Sequence, residues 1–357
     1  MSEATAQAAA RPRASTQHHL DVDMLDAYLQ QHVEGYQGPP TLKPLTGGQS
    51  NPTFLLDAGG VRYVLRKRPA GNLLPSAHAV DREYRVMSAL QGTDVPVPRM
   101  LCLCEDPEVL GTAFYVMSHV EGRVLWDARL PGFEPPERAA MYGEMNRVIA
   151  ALHVITPAAV ALSDYGRSGG YLERQIGRWT KQYMAAETEP LDAMHRLIEW
   201  LPRCVPASSG TSIVHGDFRL DNMIFHPTEP RVLAVLDWEL STLGDPLVDF
   251  AYHMLAWHMR AQDFRGMAGE DLEALGIPSA DAYMRRYCER VGRAAIPQEA
   301  WEFYIVFNLF RLAAIFQGIA KRAQDGTAAS ADAVATGQRA RATAELGWRL
   351  ARSIAVA

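Results

Sequence analysis

The 357-residue sequence is poor in cysteine and has no excess of basic charge. Its four cysteines include Cys102 and Cys104, whose spacing is neither that of a zinc knuckle nor that of a thioredoxin-like site. Such sparse cysteines predict reduced thiols in a cytoplasmic protein. With 35 basic and 41 acidic residues, the formal net charge of −6 excludes a general basic surface for nucleic acid or an anionic membrane. A phosphate-binding site must therefore be local.

Long apolar runs and targeting signals are also missing. The apolar stretch 308–320 is interrupted by Arg311 and Gln317, and no run reaches the roughly 18 residues that a transmembrane span needs. Residues 1–20 lack the apolar segment of a signal peptide, and Glu3 and the absence of an amphipathic arginine pattern argue against a transit peptide. We therefore expect a disordered tail at residues 1–20 and no membrane or nucleic-acid partner.

The remaining composition is that of an ordinary globular protein. Apolar residues make up 48% and charged residues 21%, and the length suits two domains or one bilobal enzyme. Apolar residues at helical spacing predict helices at residues 21–33 and 79–90. A glycine-containing turn at residues 57–60 predicts a β-hairpin. The predicted strands are at residues 53–56, 61–66, 100–104 and 113–118.

Beyond residue 135 the pattern changes to long helices. Helices are predicted at residues 137–153, 171–187, 191–201, 247–258, 281–291, 298–322 and 332–353, and short strands at 212–215 and 232–236. The sequence therefore predicts an α+β fold with two lobes. We place a small β-rich N-terminal lobe at residues 21–118, a hinge at 119–123, and a larger, mostly helical lobe at 124–357.

The densest polar cluster lies between the two short strands of the helical part. It contains His215, Asp217 and Asn222 in the pattern His-x-Asp-x-x-x-x-Asn, and Asp237 follows the second strand. Phosphoryl transfer needs one carboxylate to orient the acceptor hydroxyl, and an amide with a second carboxylate to hold Mg²⁺ against the nucleotide phosphates. This pattern predicts Asp217 as the base and Asn222 and Asp237 as metal ligands. The alternative is a polar loop whose Asp and Asn residues cap turns.

These residues resemble the aminoglycoside phosphotransferase and choline kinase-like family, which has the protein-kinase-like bilobal fold. The family loop His-Gly-Asp-x-x-x-x-Asn matches residues 215–222, and its Gly-Asp-Pro…Asp segment matches residues 244–249. The resemblance extends from Pro44 to about Ser353. It implies ATP and Mg²⁺ as cofactors, and it implies that Asp245 and Asp249 support the loop and the start of the next helix, where a carboxylate can cap.

The N-terminal lobe must then supply a phosphate loop. Residues 46–51 read Thr-Gly-Gly-Gln-Ser-Asn between strand candidates, and backbone N–H groups of Gly47, Gly48 and Ser50 would face the nucleotide phosphates. Taken alone, such a turn is an ordinary hairpin about as often as a phosphate loop.

The lobe must also supply a cation and its carboxylate partner. Side chains alternate across a strand, so Arg66 and Lys67 cannot both face the nucleotide. The family register favours Arg66, with Val64 facing the adenine, although the family usually has lysine at this position. Arginine also binds phosphate bidentately. Glu83 matches the helix carboxylate that pairs with this cation in the family, and its alternative is a solvated surface residue.

A hinge is implied between the two lobes. Residues 114–122 resemble the family segment in which backbone groups of about Ser118 to Val120 bind the adenine edge. The alternative is a sheet edge that leads into a turn.

A basic helix gives the sequence's main indication of the phosphate acceptor. Arg174, Arg178 and Lys181 are spaced to share one helix face, which suits an anionic substrate better than a polycationic antibiotic. A solvated stripe explains the spacing equally well. The surrounding signature resembles the kinase-like domain attached to certain acyl-CoA dehydrogenases, which implies a hydroxyacyl-CoA as acceptor.

These observations predict an ATP- and Mg²⁺-dependent small-molecule O-phosphotransferase that is a monomer or homodimer; the sequence does not distinguish ATP from GTP. Two alternatives stay open. The first is a nucleotide-binding pseudokinase that acts as a scaffold for an acyl-CoA dehydrogenase, which the atypical Arg66 allows. The second is an aminoglycoside- or choline-type kinase, for which an acidic acceptor pocket is expected.

Overall fold

The computed structural model describes residues 20–45, 51–69, 79–167, 169–328 and 332–354. Residues 1–19 of the expected tail therefore lie outside the described residues. The same holds for Gly47, Gly48 and Ser50 of the expected phosphate loop, so their assignment to the nucleotide stays a prediction.

The N-terminal part forms one antiparallel sheet with helices beside it. Its elements are α1 (Val22–His32), β1 (Thr41–Pro44), β2 (Thr53–Ala58), β3 (Val61–Lys67), α2 (Val80–Leu90), β4 (Met100–Cys104), α3 (Pro107–Leu110) and β5 (Phe114–Ser118). The strand order is β1-β2-β3-β5-β4. Strands β2 and β3 are joined at Gly59 and Gly60, whose φ angles of 59° and 79° are those that a two-residue hairpin turn requires. The predicted hairpin is confirmed.

The two faces of β3 serve different purposes. Tyr63 and Leu65 are buried in a small core that also contains Leu25 and Leu29 of α1. Val64, on the other face, joins the larger core that includes α2. Arg66 shares the face of Val64, because side chains alternate along a strand. The sheet thereby directs the Arg66 side chain towards the C-terminal part.

The C-terminal part is mostly helical. Its elements are β6 (Arg123–Val124), α4 (Pro135–Val154), α5 (Tyr171–Ala186), α6 (Asp192–Trp200), β7 (Ser212–Val214), β8 (Met223–Phe225), β9 (Val232–Val235), β10 (Thr242–Gly244), α7 (Pro246–His253), α8 (Leu255–His258), α9 (Ala261–Phe264), α10 (Leu272–Leu275), α11 (Ala280–Val291), α12 (Gln298–Gln324), α13 (Ala333–Gly337) and α14 (Arg339–Ile354). Two small sheets, β6-β8-β9 and β7-β10, lie among these helices. The predicted α+β class is confirmed.

Helix α12 is the centre of the helical part and contacts α5, α7, α13 and α14. It is long and apolar enough to cross a membrane, but 78% of its most apolar window is buried inside the protein. Burial of this kind is typical of a core helix.

Two predicted helices are broken in the structure. The helix expected at 247–258 divides at Met254, whose N–H donates to the carbonyl groups of Phe250 and Tyr252. The helix expected at 332–353 divides after Gly337, which packs so closely on α12 that a Cβ atom there would lie 2.7 Å from the Cα atom of Ala320. Close packing on α12 therefore accompanies the break at Gly337, whereas the break at Met254 is a local change in the backbone hydrogen bonds.

Candidate active site

The loop after β7 is held by one buried carboxylate. Asp249 of α7 accepts hydrogen bonds from the backbone N–H groups of His215, at 2.7 Å, and Gly216, at 2.8 Å. His153 Nε2 lies 3.2 Å from the same carboxylate. Burial raises the pKa of Asp249, but the interactions with His153 and His215 outweigh burial and hold the pKa below its usual value. Asp249 therefore fixes the loop as an ionised support.

Asp245 performs a similar task at the start of α7. Its side chain caps the helix by accepting from the N–H of Leu247 at 3.0 Å, and it also accepts from the N–H of Ser209 at 2.9 Å. Such a cap satisfies an N–H group that the helix itself leaves unpaired. Asp249 thus supports the loop and Asp245 the start of the next helix, as the resemblance implies.

Asp217 lies in the loop with its carboxylate surrounded by donors. Asn222 Nδ2 donates to Asp217 Oδ2 at 3.0 Å. Arg219 lies against both carboxylate oxygens, with Nε 2.9 Å from Oδ1 and Nη2 3.0 Å from Oδ2. These contacts orient the Asp217 carboxylate, as a general base at this position would require. Sequence reasoning gave Arg219 no role, although its position two residues after Asp217 placed it within reach.

Asn222 and Asp237 are brought together by a backbone hydrogen bond. The N–H of Leu236 donates to the carbonyl oxygen of Asn222 at 2.8 Å. Asp237, the next residue, therefore lies beside the loop that contains Asn222. Asp237 adopts a left-handed conformation with φ 66°, which costs energy for a non-glycine residue and is concentrated at functional sites. An amide oxygen and a carboxylate are hard donors of the kind that Mg²⁺ accepts together with nucleotide phosphates. The two residues therefore fit a magnesium site that the nucleotide completes.

Three carboxylates surround Arg66. Its Nε lies 3.3 Å from Glu83 Oε2, and its Nη2 lies 2.9 Å from Asp237 Oδ1 and 3.7 Å from Glu239 Oε2. Glu83 is fully buried and also accepts from Tyr115 Oη at 3.0 Å. Burial raises the pKa of Glu83 to about 7, although the charge of Arg66 acts in the opposite direction. The ion pair expected between β3 and α2 is present, and it directs the guanidinium at the expected metal site.

Lys67 lies on the other face of β3. It is buried, and burial lowers the pKa of its ammonium group.

We expect Arg66→Met to raise the KM for ATP at least about tenfold, because it removes a charged hydrogen-bond donor. Lys67→Met, the matched change one residue away, should leave this KM within about twofold.

The partner variant is Glu83→Gln. It should reproduce part of the Arg66→Met defect, because an unpaired guanidinium is less well positioned. Steady-state kinetics with ATP as the varied substrate measure all three variants. Equal, mild effects from both cation variants would show that this ion pair does not serve the nucleotide.

The segment expected to bind adenine follows β5. The N–H of Ser118 donates to the carbonyl of Arg99 at 2.8 Å, and its Oγ accepts from the N–H of Arg99 at 2.9 Å. Ser118 therefore completes the sheet. Val120, which is half-buried, lies two residues further on, and its contact with adenine stays a prediction.

A large polar cavity opens beside the catalytic loop. Its volume is about 800 Å³, and its lining includes Gly216 of the loop and Trp179 of α5. We call it the arginine cavity because five arginines line it, namely Arg68, Arg82, Arg178, Arg311 and Arg322. Among the described residues none of these five forms an ion pair with a carboxylate. Two carboxylates, those of Asp81 and Glu239, also line the cavity, but the five arginines outnumber them and the cavity therefore favours an anion.

Arg311 is the most buried of the five, with 5% of its surface exposed. Its guanidinium donates to the carbonyl of Gly216 and stacks over Tyr252 at 4.6 Å and Trp179 at 5.3 Å. Its Nε is buried and has no hydrogen-bond partner within the described chain. Burying such a charge without a counter-ion is costly. An anionic ligand in the cavity would compensate that cost.

The predicted basic stripe is divided by the structure. Arg178 lines the arginine cavity, and burial together with the charge of Arg311 lowers its pKa. Arg174 instead donates to the carbonyl groups of Arg167, at 2.9 Å, and Gly169. Lys181 is exposed and does not line the cavity. Arg311, which sequence reasoning did not select, was signalled only as a charge within an apolar helical stretch.

The loop with Asp217 and Asn222, the nearby Asp237 and the Arg66–Glu83 ion pair lie at the junction of a β-rich and a helical part. This arrangement is typical of a kinase-like phosphotransferase. The chain matches the phosphotransferase enzyme family over residues 41–295, and it belongs to that family. The predicted family and the protein-kinase-like bilobal fold are thereby confirmed.

The relatives are of two kinds. The chain is 47% identical over 332 residues to mouse "Acyl-CoA dehydrogenase family member 10", covering 92% of this chain and 31% of that protein. The human "Acyl-CoA dehydrogenase family member 11" is 41% identical over 341 residues, which cover 94% of this chain and 44% of that protein. This chain thus spans less than half the length of these curated relatives.

Among solved structures, a candidate aminoglycoside phosphotransferase of Ralstonia eutropha is 54% identical, with a TM-score of 0.86 over 93% of this chain and 98% of that one. An aminoglycoside phosphotransferase crystallised with ADP and hygromycin B has a TM-score of 0.57 and 17% identity, and the match covers 90% and 98% of the two chains. The second likeness concerns the fold alone.

Proposed function

We propose that this protein transfers the γ-phosphate of ATP to a hydroxyl group of a small anionic molecule, with a hydroxyacyl-CoA as the substrate class, and that it requires Mg²⁺. One observation supports this most strongly. The arginine cavity reaches the catalytic loop at Gly216, the residue that precedes Asp217 and accepts a hydrogen bond from Arg311. The proposed anion-binding guanidinium therefore contacts the residue next to the candidate base in the chain.

Each residue has a distinct task in this proposal. Asp217 orients the acceptor hydroxyl and takes its proton as the oxygen attacks the γ-phosphate. Arg66, held by Glu83 at 3.3 Å, binds phosphate oxygens. Asn222 and Asp237 would hold Mg²⁺, which when bound neutralises charge on the phosphates. Phosphoryl transfer needs little covalent chemistry from the protein, so positioning and charge carry most of the rate.

The charge of the arginine cavity supports an anionic acceptor. A CoA thioester carries phosphate groups that five arginines could bind, whereas a polycationic aminoglycoside would be repelled. The names of the relatives at 47% and 41% identity also associate this kind of domain with acyl-CoA metabolism.

A transfer assay tests this function. The protein is incubated with ATP, Mg²⁺ and a panel of hydroxyl-bearing compounds that includes hydroxyacyl-CoA thioesters, hydroxy acids, choline and aminoglycosides. We expect mass spectrometry to detect a gain of one phosphoryl group on a CoA thioester or another anion. Phosphorylation of cationic compounds alone would refute the anionic acceptor, and no transfer to any compound would favour the scaffold.

Arg311 and Arg178, which line the arginine cavity, can be compared with Arg174, which does not. Arg311→Met and Arg178→Met should each raise the KM for the acceptor about 10- to 100-fold, because each removes a charged hydrogen-bond donor. The KM for ATP should stay unchanged. Arg174→Met, one helical turn from Arg178, should change neither constant by more than about twofold, since its guanidinium donates to backbone carbonyls outside the cavity.

Salt dependence separates an electrostatic effect from a packing effect. The wild-type KM for the acceptor should rise with ionic strength more steeply than that of Arg311→Met, because screening weakens an attraction that the variant has lost. Identical salt dependence would show that Arg311 stabilises the fold rather than the acceptor.

A further inference from the structure

A second, apolar cavity lies against the catalytic loop. Its volume is about 70 Å³, and its wall is formed mainly by Tyr142, Met145, Trp257, Met259 and Phe264. The polar groups in this wall are already engaged. Trp257 Nε1 donates to the carbonyl of Pro278 at 2.9 Å, and Tyr142 Oη donates to the carbonyl of Ala128. The wall therefore offers little to a polar ligand.

The charged residues at the rim are paired with one another. Asp221 binds Arg265, and it lies 3.5 Å from Arg219 Nη2. His253, also in the wall, has its Nε2 2.8 Å from Tyr283 Oη, and burial lowers its pKa to about 4, so it is neutral at physiological pH. The charged groups at the rim are therefore paired, and the cavity does not favour a charged ligand.

Two residues connect this cavity to the base and to the arginine cavity. Arg219 lines the apolar cavity while its Nε lies 2.9 Å from Asp217 Oδ1. Tyr252 also lines it, and the ring of Tyr252 carries the guanidinium of Arg311 at 4.6 Å. The base therefore lies between an anion-binding cavity and an apolar cavity.

We propose that the apolar cavity binds the hydrocarbon chain of the acceptor, on the side of the reacting hydroxyl away from the anionic group. The inference rests on the proposed function, which supplies the hydroxyl and the anion. Burial of apolar surface is the main favourable interaction that such a wall can make. A cavity of this volume holds a short chain of about four to six carbon atoms, since about 10–15 Å³ of comparable volume holds one water molecule.

Binding of unreactive thioesters tests the subsite without any transfer step. Isothermal titration calorimetry with acetyl-, butanoyl-, hexanoyl- and octanoyl-CoA should show an affinity that rises about fourfold for each added methylene and then levels off when the cavity is full. The heat-capacity change should become more negative in parallel. Affinity that does not depend on chain length, or no binding by any thioester, would overturn the subsite.

Matched variants locate the effect. Ala256→Phe fills the cavity from a half-buried position in its wall and should abolish the dependence on chain length. Ala323→Phe, the same change at a half-buried position in a separate groove beside α13, should preserve it. Trp126 is 57% exposed at the cavity rim, so Trp126→Ala is expected to fold and to weaken octanoyl-CoA binding several-fold. Chain-length dependence that survives both Ala256→Phe and Trp126→Ala would refute the assignment.

The outcomes for the subsite and for the proposed function are distinct. Thioester binding that depends on acyl-chain length, without transfer to any hydroxyl compound, would refute the phosphotransferase and support the subsite. Transfer to anionic hydroxyl compounds at rates that do not depend on chain length would support the phosphotransferase and refute the subsite.

Discussion

Asp217→Asn is expected to lower kcat about 10²- to 10⁴-fold while leaving the affinity for Mg²⁺ and ATP nearly unchanged. The physical reason is that an amide cannot take the proton of the acceptor hydroxyl, whereas loss of a general base typically costs this factor. Asn is nearly isosteric with Asp, and its amide oxygen can still accept the hydrogen bond from Asn222 Nδ2. Single-turnover transfer with saturating ATP measures the chemical step directly.

A surface carboxylate provides the control. Asp164→Asn removes a charge whose side chain is 75% exposed and pairs with Arg85, far from the loop in sequence. It should change kcat by less than about twofold, as exposed ion pairs contribute little. An Asp217→Asn protein that retained most of its kcat would show that another group accepts the proton.

The catalytic loop could be predicted because its chemistry is local in the sequence. Asp217 and Asn222 are five residues apart in one motif, and Asp237 follows β9, the second strand after the loop, so a short segment of chain brings all three together. The support from Asp249 is also close, 34 residues from His215. Contacts of this kind need only a strand, a turn and a helix in the right order.

The acceptor side could be predicted only in part. Helical spacing shows that Arg174 and Arg178 share a face of α5, but it does not show which part of that face points into a cavity. Arg311 meets Gly216 from a helix 95 residues further along the chain. Its role depends on how α12 packs against α5 and α7, and periodicity in one sequence contains no information on that packing.

Short elements escaped prediction for a related reason. Strands β6 and β8 have only two and three residues, and they pair with each other across about 100 residues of sequence, while β8 also pairs with the nearby β9. Runs this short carry little pattern of their own. The pairing nevertheless matters for the site, because β8 begins at Met223, immediately after Asn222. Register in this small sheet therefore helps to place a predicted metal ligand.

Asp237→Ala is expected to reduce kcat/KM for ATP by about 10³-fold or more and to weaken Mg²⁺-dependent nucleotide binding. Removing the carboxylate takes away one of the two protein ligands assigned to Mg²⁺, and such an ion contributes several kcal/mol to phosphoryl transfer. The same change also removes the 2.9 Å contact with Arg66, so the loss in ATP affinity alone does not identify the cause.

The dependence on Mg²⁺ concentration separates the two causes. Asp237→Ala should require much more Mg²⁺ for half-maximal rate at fixed ATP, whereas Arg66→Met should lose ATP affinity and keep the wild-type Mg²⁺ requirement, because its metal ligands are intact. Glu239→Gln changes the other carboxylate near Arg66, at 3.7 Å, and should also keep that requirement. Calorimetry of nucleotide binding with and without Mg²⁺ provides the second measurement. An unchanged Mg²⁺ requirement in Asp237→Ala would place the metal on other residues.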